Sequence, residues 1–267
     1  MSVAGEPSVV VDALWRSYRK RRRTGFRLGG GALHWALRDV SLTVPAGGSL
    51  GVIGANGSGK TTLLQVVAGV LGPSRGSVGV RGRVASLVDL SAGFHRDLTG
   101  HENLRIGGVL LGVSGDELAS RYDDIVEFTG LTAQALDSPL STYSAGMGLR
   151  LGFSLVVNSR PDVLLVDEVL AVGDEEFQHR CVEKVRELRD GGCAVMLVSH
   201  DMRLVRESCD DVAVLEDGEL AYLAPAPDAV EYYVERRRAI GADDPGERPL
   251  YAGSWRVQAA RRRRGVR

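Results

Sequence analysis

The alternation of apolar and polar positions opens the chain on a strand, "PSVVVDAL" (7–14). The basic and then glycine-rich run "RSYRKRRRTGFRLGGGALHW" (16–35) breaks that alternation and predicts an excursion out of the sheet. "DVSLTV" (39–44) alternates like a half-exposed strand, whereas "GGSLGVIG" (47–54) is apolar enough to be buried on both faces. Helical periodicity runs from Lys60 to Val70 and stops at Gly72-Pro73. The stretch "GSVGVRGRVASLVDL" (76–90) predicts two short strands.

From Ser91 to about Ser159 the period turns helical. Thr99 and Glu102 have the spacing of a capping box ahead of "NLRIGGVLLGV", a second helix covers roughly 115–129, and a third starts near Ser144. "DVLLVDE" (162–168) is a fully apolar strand that ends in two acids. Then come a helix over 175–190, a strand and helix start in "AVMLVSHD" (194–201), a hairpin around Asp217-Gly218 within 211–224, and a last helix over 227–239. Strands alternating with helices predict an α/β sheet with parallel strands, and the helical middle reads as an inserted subdomain. The tail from Gly241 onward, with Arg261–Arg264, is expected to be loose.

Composition narrows the class. The 267 residues make one large domain or two small ones, and a net charge of −1 excludes a polycation seeking nucleic acid. The basic residues comprise thirty Arg and three Lys (Lys20, Lys60, Lys184), so a lysine inside a glycine bend stands out. Cys181, Cys193 and Cys209 form no CxxC and read as reduced, partly buried thiols in a cytosolic protein. No stretch approaches the ~18 apolar residues of a membrane span, and the N-terminus lacks a signal-peptide pattern. Any membrane role is therefore expected to use a partner chain.

The chemistry begins at "GVIGANGSGKTTLL" (51–64), where Gly54 to Thr61 fit G-x-x-x-x-G-K-[ST] between a buried strand and a helix. Gly57 and Gly59 let the backbone turn its N–H groups inward, together with those of Asn56 and Ser58. The helix that follows offers its positive end to the same anion. Lys60 supplies a mobile charge for the β and γ phosphates, and the Thr61 hydroxyl, followed by Thr62, is sized to ligate Mg²⁺. Asp167 and Glu168 stand where α/β sheets place ligands. Asp167 would hold the metal, and Glu168 would orient and deprotonate the attacking water. His200, after a neighbouring apolar strand, reads as a γ-phosphate sensor that also positions that water. Ser144, at a helix N-cap with small neighbours Ala145 and Gly146, makes a bare, positive helix end that can approach a phosphate.

Taken together, the P-loop, the inserted helices, "YSAGM" (143–147), "LLVDE" and "VSHD" resemble the ATPase subunit of ABC transporters over roughly Val9 to Arg237. "LSAGFHRDLTGHENL" (90–104), "YSAGM" and "DEVLAVGDEEFQHRC" (167–181) resemble the branch that exports cell-surface polysaccharide. The resemblance implies a P-loop NTPase α/β core with a mixed sheet, an N-terminal antiparallel β part and an inserted helical subdomain. It places the ATPase domain at 8–240, the subdomain at about 91–160 and a basic tail at 241–267. It implies ATP and Mg²⁺, a head-to-tail dimer with two sandwiched ATP molecules, a polytopic membrane permease as partner, and a place at the cytoplasmic face of the membrane. Tyr18 matches the aromatic that stacks on adenine, with Trp35 as a rival. Ser144 and Gly146 match the signature that caps the partner's γ-phosphate, and Asp174 matches the loop that crosses the dimer interface.

Departures from the family pattern are Tyr143 for Leu, Ala145 for Gly and Met147 for Gln in the signature. The glutamine that contacts Mg²⁺ in the family is missing, with Asp89 or Leu90 near its place. Residues 19–35 are either a segment against the membrane partner or lipid headgroups, at roughly 1 kcal/mol per basic residue, or a solvated loop. A soluble ABC ATPase acting on ribosomes or DNA would carry two cassettes or a long coiled-coil insertion. A GTPase would carry an NKxD motif, and a small-molecule kinase would leave "YSAGM" without a role. About thirty residues follow the last helix, too few for a glycan-binding sandwich domain, so the chain is not expected to read the sugar itself.

Overall fold

Two sheets organise the computed structural model, which describes residues 6–19, 33–87, 93–167, 174–239 and 241. The smaller sheet is antiparallel, in the order β2 (Leu33–Pro45), β1 (Pro7–Arg19), β4 (Arg75–Val80). The larger has six strands, in the order β5 (Val84–Ser86), β6 (Val163–Asp167), β7 (Ala194–Val198), β3 (Ser49–Ile53), β8 (Asp211–Glu216), β9 (Glu219–Pro225). β5, β6, β7, β3 and β8 run parallel, and β9 closes the edge as an antiparallel hairpin. The expected mixed sheet and antiparallel N-terminal part are both present.

Apolar content on both faces explains the central strands. Every residue of β3 and β7 is buried, as is β6 up to Val166. One face packs on α1 (Lys60–Val67) and the smaller sheet through Leu63, Leu64, Met196 and Val40. The other packs on α5 (Ala145–Asn158) and α6 (Glu175–Asp190) through Phe153, Phe177 and Leu197. α7 (Met202–Ser208) and α8 (Ala226–Ala239) cover β8 through Val205, Ala229 and Tyr233.

The excursion predicted over 16–35 is shorter than expected. β1 continues to Arg19 and β2 starts at Leu33, with Ser17 opposite Trp35 and Tyr18 opposite His34. Cross-strand aromatic packing accounts for the extension. Trp15 and Trp35 meet edge to face at 5.4 Å, and the Arg75 guanidinium lies over both rings. The basic residues around them mask this pairing in the sequence. Residues 20–32, which carry the alternatives of membrane contact or solvated loop, lie outside the described residues, as do Asp89 and Leu90. The helix expected to reach Val70 ends at Val67, since Ala68 closes its last carbonyls and Gly69 turns left-handed at φ 74°. The two strands expected in 76–90 part company, β4 joining the small sheet and β5 the large one.

The helical middle contains α2 (Gly100–Leu110), α3 (Gly115–Thr129), α4 (Ala133–Leu136), a short 3₁₀ turn (Leu140–Thr142) and α5. These share a cluster built on Leu104, Leu118, Ile125, Leu136, Leu151 and Leu155. Thr99 and Glu102 form the full capping box, with Thr99 Oγ1 accepting from the Glu102 N–H and the Glu102 carboxylate accepting from the Thr99 N–H at 2.8 Å. The Thr99 N–H and the Thr99 hydroxyl, both donating to the Glu102 carboxylate, hold it below the usual carboxylate range. Replacing Thr99 by alanine should cost about 1 kcal/mol, read as a lower urea midpoint with an unchanged slope. A second device ties α3 to the sheet. Arg83, just before β5, forks onto Glu117 at 3.1 Å to each oxygen and donates to the Ser159 carbonyl at 2.8 Å, and Arg121 joins the same carboxylate at 2.8 Å.

Candidate functional site

The loop between β3 and α1 is shaped by close backbone approach. Gly54 has φ 152°, and a Cβ there would stand 2.2 Å from the Leu215 carbonyl oxygen of β8. Gly59 begins α1 at φ 105°, without a side-chain cap among the described residues. Lys60 is 7 % exposed, and its Nζ donates to the Gly54 and Ala55 carbonyls at 2.8 and 3.0 Å. A flexible cation folded over a glycine loop and resting on carbonyls has the reach to follow an anion placed inside it. Ser58 Oγ is buried without a hydrogen-bond partner among the described residues. Among the described residues, nothing lies within 4 Å of where a Cβ of Gly57 would stand. An orphaned hydroxyl, uncapped helix N–H groups and a buried ammonium in one concave loop fit a polyphosphate.

Sheet order brings Asp167 and His200 to the same edge. β6, β7 and β3 are consecutive, with Asp167 opposite Val198 and Val198 opposite Val52. Asp167, His200 and the glycine loop therefore leave the carboxyl ends of three adjacent parallel strands. His200 is exposed, in the bend between β7 and the Asp201 cap of α7. Glu168 lies outside the described residues. Thr61 is exposed in the first turn of α1. Among the described residues no three His, Cys, Asp or Glu side chains gather to hold a metal by themselves. The hydroxyl of Thr61 and the carboxylate of Asp167 are oxygen donors of the kind Mg²⁺ takes when substrate phosphates supply the rest of its shell.

Tyr18 and its rival Trp35 differ in surroundings. The Tyr18 hydroxyl is 3.4 Å from Thr62 Oγ1 on α1, with the Arg16 guanidinium 5.2 Å from its ring centroid. It stands beside the first turn of α1 and is 36 % exposed. Trp35 is engaged by Trp15 and Arg75.

Ser144 is the N-cap of α5, as expected, and its Oγ accepts from the Met147 N–H at 3.2 Å. Ser144 and Ala145 are exposed, and among the described residues a Cβ at Gly146 would find only Ser144 Oγ, 3.9 Å away, within 4 Å. The helix end is bare. The unusual Tyr143 has a role of its own. Its hydroxyl donates to the Ala135 carbonyl at 2.7 Å and occupies the space that a Cβ at Gly100 would need. The start of α5 is thereby pinned to α4 and α2.

Two contacts went unread in the sequence. Arg150 of α5 pairs with Asp174, the N-cap of α6, and its guanidinium lies 5.0 Å from the Phe177 ring centroid. The bond from the Phe177 N–H, and then Arg150, hold the Asp174 carboxyl below the usual carboxylate range. Nothing local in the sequence marks this pair, because its members are 24 positions apart. Asn103 is fully buried in α2, accepts from the His95 N–H at 2.7 Å and donates to the carbonyls of His95, Leu98 and Thr99. A lone amide in an apolar helix pattern was its available signal. The three cysteines are free, and burial pushes their thiols up to about 12, which leaves them without thiolate chemistry near neutral pH.

Fold and site together define a P-loop nucleotide-binding protein. Residues 37–171 match the family model described as ABC transporter. The chain belongs to the ABC transporter family and carries its ATP-binding ATPase domain. It is 42 % identical over 211 residues to the O-antigen export system ATP-binding protein RfbB of Klebsiella pneumoniae, covering 79 % of this chain and 85 % of that one. It is 42 % identical over 199 residues to the teichoic acids export ATP-binding protein TagH of Lactococcus lactis, covering 74 % of this chain and 42 % of TagH. In fold it is similar to the ATP-binding cassette MJ0796, solved as a dimer in a post-hydrolysis state with ADP and Pi. That match has a TM-score of 0.69 at 19 % identity and covers 82 % of this chain and 98 % of the other.

Proposed function

We propose that this chain is the ATP-hydrolysing subunit of a transporter that exports a cell-surface polysaccharide or lipid-linked glycan through a separate membrane subunit. The observation that carries this reading is the identity with the O-antigen export ATP-binding protein, which spans most of both chains. The name of the teichoic acids export relative points the same way.

In this reading the N–H groups of Gly54, Asn56, Gly57, Ser58 and Gly59 face the phosphates, and Lys60 moves from its carbonyl contacts onto the β and γ oxygens. Tyr18 stacks on the base, and Thr62 keeps its ring beside α1. Thr61 and Asp167 would hold Mg²⁺, which when bound neutralises charge on the phosphate oxygens. Glu168 takes the proton of the attacking water, and His200 holds that water and senses the γ-phosphate. Ser144 and Gly146 bring the bare end of α5 onto the nucleotide of a second copy, in a closed two-fold pair. Arg150 ties that helix to Asp174, so the two elements assigned to the interface move together. Hydrolysis replaces one bound anion by two, whose repulsion parts the pair, and the helices α2–α5 pass the motion to the membrane subunit.

No helix among the described residues is long and apolar enough to cross a membrane. In this reading the membrane location is assigned to the partner subunit. Purification from its own cells in mild detergent should recover the chain with a polytopic membrane protein, and salt should not strip it from membranes that contain that partner. Recovery of the intact chain from the soluble fraction alone, with ribosomes or DNA, would overturn the transport reading.

A further inference from the structure

The glycine loop is held from outside by groups that have no place among its phosphate contacts. Leu215 of β8 lays its carbonyl oxygen over Gly54, and Ala36 of β2 places its own 2.6 Å from where a Cβ of Gly59 would stand. The third support is the turn between β8 and β9. Gly218 donates its N–H to the Ser58 carbonyl at 3.2 Å and accepts from the Arg38 N–H at 2.7 Å. It sits at φ 85°, and a Cβ on it would lie 2.7 Å from the same Ala36 oxygen. The Ala36 carbonyl is thus wedged between two glycines, one in the loop and one in the turn. Ion pairs on either side hold the turn, Glu216 with Arg236 of α8 and Glu219 with Arg38.

We infer that Gly218 is a positioning residue for the nucleotide site. Its N–H anchors the Ser58 carbonyl, and its missing side chain lets Ala36 press on Gly59, so the Ser58–Gly59 peptide is fixed within the loop. A bulkier residue at 218 displaces Ala36, Ser58 or both, and the loop loses the turn that the Ser58 N–H closes on the Ala55 carbonyl at 3.1 Å. The inference rests on the reading of this loop as a phosphate cradle.

The test is equilibrium titration of the full-length chain with ATP in the presence of Mg²⁺, paired with steady-state hydrolysis. Gly218→Ala introduces both backbone strain and the collision. Gly218→Asn tolerates the left-handed backbone and isolates the collision. Asp217→Asn, at the other left-handed residue of the turn (φ 49°), is the control. The two Gly218 variants should bind ATP roughly tenfold more weakly, with kcat at saturating ATP within about threefold of the parent, and the control should match the parent. Folded Gly218 variants with parental ATP affinity would overturn the inference, even if their thermal midpoints fall, because that result is structural support alone. If neither variant folds, amide exchange on the parent decides. ATP should slow exchange at Gly218 together with Gly59 and Leu63. A Gly218 amide that ignores ATP while the loop responds would overturn the inference. A parent chain that binds no ATP would remove the cradle itself, a failure distinct from either.

Discussion

Replacing Glu168 with glutamine should lower ATP turnover by about 10²–10⁴-fold while nucleotide remains bound. Glutamine keeps the size and polarity of the side chain but cannot accept a proton from water. The loss corresponds to about 3–5 kcal/mol of transition-state stabilisation. Binding should survive because it is assigned elsewhere: the loop amides, the buried Lys60 and the Tyr18 ring belong to β1, β3 and α1. The checks are phosphate release at steady state and retention of labelled ATP through gel filtration. Turnover close to that of the parent would take Glu168 out of the base role and move the question to His200.

Exchanging Ser144 for aspartate should abolish most of the turnover for a different reason. Aspartate is as good an N-cap as serine, so it can accept the Met147 N–H that Ser144 Oγ now accepts and leave α5 intact. Tyr143 would still hold the helix start to Ala135. A carboxylate at the tip, however, meets the partner's phosphate with like charge. At about 4 Å and an effective dielectric near 20, that opposes closure by about 4 kcal/mol, close to a thousandfold. ATP affinity of the single chain and its thermal midpoint should stay near the parent's, because the change touches neither the glycine loop nor the core. Turnover that survives Ser144→Asp would show that the end of α5 does not approach the nucleotide.

The sequence made some layers of this protein legible and hid others. The apolar runs of β3, β6 and β7 announce buried parallel strands, and Asp167 and His200 leave the same sheet edge as the glycine loop because the strands are consecutive. The capping box at Thr99 and the N-cap at Ser144 were readable because a cap is a local device over three or four residues. What stayed hidden is long-range. The pairing that carries β1 to Arg19 depends on Trp15 meeting Trp35. The tie between Arg150 and Asp174 joins two helices, and the brace of Gly218 on Ser58 joins positions 160 apart along the chain, by 218 − 58. Asn103 lies between these cases: a buried amide was visible as an exception, but not the three carbonyls it serves.

The claim beneath the whole account is that a triphosphate in one copy is completed by the serine-bearing helix of another. The most direct measurement is the solution mass of the Glu168→Gln chain by light scattering at saturating ATP, with Ser144→Asp added in a second sample. A species of twice the monomer mass should appear with ATP, be absent without it, and revert to monomer when Ser144→Asp is present. A Glu168→Gln chain that stays monomeric with ATP bound, or a pair indifferent to Ser144→Asp, would contradict it.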